Sequence, residues 1–136
     1  MEPVYAYYPW KLLLKSGTEG VAASNYGRNL MKEMMLVYDG DQHRYAQIAG
    51  HGFRILAEAM EKDLPYEIKS PSLLICGTKD HAGSCIRYNR EWHRKTKIPL
   101  KWIEGAGHNS NTDKPEKINS LIEEFLSNIS WQAMQS

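Results

Sequence analysis

Residues 71–80 read PSLLICGTKD, and the fold turns on what the apolar run inside them forms. Leu73, Leu74, Ile75 and Cys76 follow one another without polar alternation, between Pro71 and the Gly77-Thr78 break. That pattern predicts a strand over residues 72–76, covered on both faces as in a parallel sheet. Residues 99–103, PLKWI, read as a second strand, and residues 84–95 between the two read as a helix. Downstream lies EGAGHNSNTDKP, residues 104–115. Asp113 followed by Glu116 has the spacing of a capping box. Ile118, Leu121, Ile122, Phe125 and Leu126 then recur at the i, i+3, i+4, i+7, i+8 spacing of a helix laid on a sheet. Strand, helix, strand, helix is the expected order, which makes this part of the chain α/β.

Upstream the period changes. Leu30, Met31, Met34 and Met35 recur at helical spacing within residues 18–38, which end at Asp39-Gly40. Tyr45, Ile48, Ala49, Phe53, Leu56 and Met60 form a stripe over a second helix at residues 41–62. The segment VYAYY, residues 4–8, has the composition of a short strand confined by Pro3 and Pro9. The division expected is a helical segment over residues 1–65 and an α/β part over residues 66–136. Two strands alone would leave a parallel sheet with unsatisfied edges, so the sheet calls for neighbours.

Composition bounds the function. The chain has 136 residues, enough for one domain with a core, and its net charge of +1 carries no sustained basic block, which argues against a nucleic-acid partner. No run approaches the roughly 20 apolar residues of a membrane span. Glu2 and the two prolines make the N-terminus unlike a signal peptide. Cys76 and Cys85 match no zinc or C-x-x-C spacing, and two thiols without a signal sequence point to the cytoplasm. His43, His51 and His93 share no metal-ligand spacing, so no metal is expected. Cys85, near a helix start, could carry a lowered pKa. Trp92 and Trp102 are expected to pack helix and strand together.

Two residues stand where α/β proteins keep their chemistry. Asp80 and His108 each follow a strand, and in a parallel sheet those carboxyl ends face one crevice, so the two can meet across 28 positions. A carboxylate that accepts from one imidazole nitrogen fixes the tautomer and frees the other nitrogen as a base. His81 beside the acid reads first as loop polarity, with a place lining the pocket as the alternative.

The run from Pro71 to Asp80 fits P-x-L-x-I-x-G-x-x-D, and Gly105-Ala106-Gly107-His108 fits G-x-G-H, followed by Asp113 and Pro115. In this order and spacing the two motifs resemble the C-terminal part of an α/β-hydrolase, over residues 66–126. The resemblance implies the last strands of a parallel α/β-hydrolase sheet with a helical lid before them. It implies Asp80 as triad acid, His108 as general base, and hydrolysis of an ester, amide or related bond in a small molecule with an apolar portion. Met31, Met34, Met35 and Tyr38 would then line the substrate's apolar wall, with ordinary helix packing the equal alternative, and no organic cofactor or metal is implied. The nucleophile is missing: no G-x-S-x-G elbow occurs, and Ser84 and Cys85 follow the acid instead of preceding it. The expectation is therefore a chain lacking the nucleophile-bearing N-terminal half and inactive alone. The alternative is a non-catalytic relative that binds a ligand or self-associates through exposed sheet edges.

Overall fold

The chain opens as a helix where residues 4–8 read as a strand. In the computed structural model, which describes residues 2–62 and 68–134, α1 spans Glu2–Tyr7. Pro3 sits in its first turn, where a missing N–H leaves no bond unmade. Long-range contact holds this short helix. It lies on α4 (Gln42–Glu61), where Tyr5 meets Tyr45 edge-on and Phe53 tilted, both at 6.1 Å between ring centres. The Gln42 amide donates to the carbonyls of Tyr5 and Tyr8, each at 2.6 Å. Gly50 lets the helices approach, since a Cβ there would meet Glu2 Cβ at 2.7 Å. Trp10 and Tyr38 also pack edge-on against Tyr45, and burial raises the Tyr45 phenol above its usual value, with Tyr5 and Tyr38 adding to the shift.

Residues 18–38, which read as one helix, are divided between two. α2 (Trp10–Glu19) ends at Gly20, and α3 (Asn25–Leu36) starts where the Ser24 hydroxyl accepts from the Gly27 N–H at 2.9 Å. The cap at Ser24 outcompetes helix continuation and frees residues 21–24 for other bonds. α2 and α3 cross where Met35, 2% exposed, fills the space over Gly17; Met34 beside it is 64% exposed. Gly40, at φ 81°, makes the turn before Asp41 caps α4.

The sheet is far smaller than the sequence reading requires. β1 (Leu74–Gly77) and β2 (Leu100–Ile103) pair in parallel, Leu74 opposite Leu100 and Gly77 opposite Ile103, joined through α5 (Cys85–Thr96). No third strand accompanies them among the described residues. The expectation of a parallel α/β-hydrolase sheet with a helical lid is therefore corrected: the chain is helical over most of its length and carries one two-stranded sheet. The reason lies in the patterns themselves. Outside these two runs the apolar residues recur with the helical period, so no other segment offers a strand's alternating faces. β2 is also less covered than β1. Lys101 and Trp102 are exposed, and the Arg90 guanidinium lies 5.3 Å from the centre of the Trp102 ring.

The expected capping box is absent as well. Asp113 closes a short α6 (Ser110–Asp113), and α7 (Pro115–Met134) begins with proline at its first position. Ile118 and Leu121 of α7 pack with Ile103 and Ala106, and Ile75 of β1 borders this core. The expected division at residue 65 falls at residues 63–67, outside the described residues. Contacts nevertheless cross it, because α3 packs on α6.

Gly77 marks a close approach of backbone to backbone. A Cβ there would collide with the carbonyl oxygens of Ala106 and Gly107, backbone that cannot move aside without shifting the His108 loop. Gly77→Ala should lower unfolding stability in urea by about 1–3 kcal/mol, as overpacking does. Gly52→Ala, in the middle of α4 with open space around it, should raise stability by about 0.5–1 kcal/mol.

Candidate acid-base site

Two loops leave the carboxyl ends of the strands and are stitched together. The Lys79 N–H donates to the Ala106 carbonyl at 2.9 Å, and the Gly105 N–H donates to the Thr78 hydroxyl at 2.9 Å. Gly105 turns at φ 74°, a left-handed conformation that suits glycine. This stitching brings Asp80 and His108 together as their positions predict. His108 Nδ1 lies 3.0 Å from Asp80 Oδ2.

Each partner has the environment its role needs. The Asp80 side chain is 5% exposed, and its Oδ1 accepts from the Ala82 N–H at 2.9 Å, so the carboxylate is held at both oxygens. A carboxylate only accepts, which makes Nδ1 the donor and leaves Nε2 with a free lone pair. The His108 side chain is 44% exposed. A buried orienting acid and a half-open imidazole can take up a proton, return it and stabilise the charge in between.

Asp113, which the sequence offers as a helix cap and as the acidic residue after the histidine motif, fixes the loop beneath His108. Oδ2 accepts from the Ala23 N–H at 2.8 Å and the Gly107 N–H at 2.7 Å; Oδ1 accepts from the Ser24 N–H at 2.8 Å and the Ser24 hydroxyl at 2.7 Å. Burial alone would raise the pKa of this carboxyl group, but the bonds from Ala23, Ser24 and Gly107 outweigh it and hold the value below the usual aspartate range. The Asn109 N–H adds a bond to the Val21 carbonyl at 2.8 Å. The nearest sequence signal was an acidic residue and a proline following the histidine motif.

Cys85 is the other residue whose placement the sequence hides. Its Sγ, an Asp80 carboxylate oxygen and a His108 ring nitrogen all lie within 4.8 Å of one another, and these are donors able to hold a metal ion. The lowered thiol pKa expected at a helix start is not found. Burial, and then the Asp80 charge, raise it, and both causes act on Cys76 too. Cys76 is a small buried side chain of β1, as expected. The remaining histidines stand apart from the pair: His43 against Tyr7, His51 beside Arg54, and His93 with Nδ1 2.7 Å from the Ile98 carbonyl. His81 is exposed and lines a recess of about 210 Å³ with Val21, Ala22, Arg28, Lys79 and Gly107. That recess flanks the pair, because Lys79 and His81 bracket Asp80 and Gly107 precedes His108.

Comparison of the chain with family models, with curated proteins and with solved structures gives no match. The acid-base geometry therefore rests on these residues alone. No helix among the described residues is long and apolar enough to cross a membrane.

Asp113→Ala leaves three backbone N–H groups and a hydroxyl without their acceptor and should destabilise the chain by about 2–4 kcal/mol in urea unfolding. The pH dependence has a definite sign. Because the folded carboxyl has the lower pKa, its contribution is fully present above the ordinary aspartate range and lost as pH falls through its depressed value. The native chain should lose stability on acidification below that range, and Asp113→Ala should lose less over the same interval.

Proposed function

We propose that Asp80 and His108 are the acid-base pair of a hydrolase that cleaves an ester, amide or related bond in a small molecule with an apolar portion. The observation that carries this reading is the 3.0 Å contact from Nδ1 to a carboxylate held by a second bond, with the opposite edge of the ring free to act. His108 takes a proton from the attacking group and returns it to the leaving group, while Asp80 holds the tautomer and stabilises the imidazolium. The recess beside the pair offers Val21 to the apolar portion of the substrate, among the polar side chains of Glu19, Arg28, Lys79 and His81. The attacking serine lies in no G-x-S-x-G segment of these 136 residues and on this reading is contributed by a further part of the protein. The two free thiols favour a cytoplasmic setting.

A second reading has its own observation. Ile48, Ile55, Leu56 and Met60 of α4 are exposed, an apolar surface suited to self-association by a non-catalytic binding module. Sedimentation that depends on concentration, together with no hydrolysis, would favour it.

With the serine-bearing part present, 4-nitrophenyl acetate as substrate and a chelator added, nitrophenol should be released roughly 10²-fold faster with the native residues than with His108→Ala, with Asp80→Asn also slowed. Equal rates in all three proteins would remove the assignment. A fluorophosphonate should leave the intact mass of the chain unchanged. One adduct, lost in His108→Ala, would put the nucleophile inside these residues.

A further inference from the structure

Cys85 is the side chain at the site that acid-base chemistry leaves unused. It opens α5 as a free, half-buried thiol, within 4.8 Å of donor atoms on both Asp80 and His108. Thiolate, imidazole and carboxylate are the three donor types that bind zinc, and thiolate favours zinc over magnesium or calcium. An ion at the centre of three atoms no more than 4.8 Å apart lies within about 2.8 Å of each, against bond lengths of about 2.0–2.3 Å. A small inward movement of each donor therefore closes the site.

The surroundings suit that closure. The bond from the Ala82 N–H to Oδ1 orients the Asp80 carboxylate, the outer support that metal-binding carboxylates usually have. His108 is half exposed, which gives the ion an entry and leaves a fourth position for water. Cys76, the other thiol, is buried in β1, its Sγ 3.6 Å from the Gly77 carbonyl and 4.0 Å from Asp80 Oδ2, and it is not among the three clustered donors.

We propose that Asp80, Cys85 and His108 form a site for a thiophilic divalent cation of the Zn²⁺ type, and that its occupation withdraws His108 from acid-base work. The ion displaces the Cys85 proton and takes a lone pair of the His108 ring, so the bound and acid-base states exclude each other. This site goes beyond the hydrolytic reading and does not depend on it, since binding is read without substrate.

The test is titration of the purified, reduced chain with Co²⁺ as a spectroscopic substitute. One equivalent should produce a thiolate-to-cobalt charge-transfer band and the visible bands of a tetrahedral ion, and Zn²⁺ should bleach both. Cys85→Ser should lose the charge-transfer band, and Cys76→Ser should keep it. His108→Ala and His108→Gln should each weaken binding by more than the roughly 10- to 100-fold that outer partners contribute. Far-ultraviolet circular dichroism identifies any variant that has unfolded, and the two His108 substitutions provide independent readings. No charge-transfer band in the native chain, or a band that survives Cys85→Ser, would overturn the proposal whether or not the chain hydrolyses esters.

Discussion

The Asp113 carboxylate joins parts of the chain that neither sheet nor core would hold together. It receives hydrogen bonds from residues 23 and 24, about ninety positions away, and from Gly107, next to His108. A buried charge is tolerable only when donors replace its hydration, and four donors converge here. The exchange works in both directions, because the same bonds satisfy N–H groups in the α2–α3 connection and in the histidine loop that belong to no helix or strand. The position of His108 is thereby tied to where the first helices lie.

The sheet has two strands of four residues, and its importance lies in what its ends carry. Parallel pairing directs both carboxyl ends the same way, so the loops after β1 and β2 emerge side by side. Gly77 lets the backbone of Ala106 and Gly107 press against the end of β1, and the Thr78 and Lys79 bonds fix the separation. Asp80 and His108 meet because the backbone beneath them is fixed. Cys85 joins them because α5 begins immediately after the Asp80 turn.

Helical periodicity was a good guide to where helices form and a poor one to what they bury. The stripe on α4 reads as a core face, yet only Tyr45 and Phe53 find ring partners, while Ile48, Leu56 and Met60 remain exposed. A period states that residues share a face. It does not state that another element covers it. The same limit applies to the sheet, where the apolar run at Leu73 to Cys76 marked a strand but not how many neighbours it would have.

The sequence by itself determined the two strands, the longer helices and the pairing of acid with imidazole. The apolar runs at residues 73–76 and 99–103 form strands, the long periodic segments form helices, and placing Asp80 and His108 just beyond the two strand ends was enough to predict their contact. These features depend on residues near one another in the chain or on a general property of parallel strands. The tertiary structure alone decided that α1 is a helix on α4, that residues 20–24 break the upstream helix, that Asp113 serves the histidine loop instead of capping α7, and that Cys85 stands beside the pair. Each of these is a contest between a local preference and a partner distant in sequence. Ring packing, a close approach at glycine or a set of donors around a carboxylate exists only after the chain has brought those partners together.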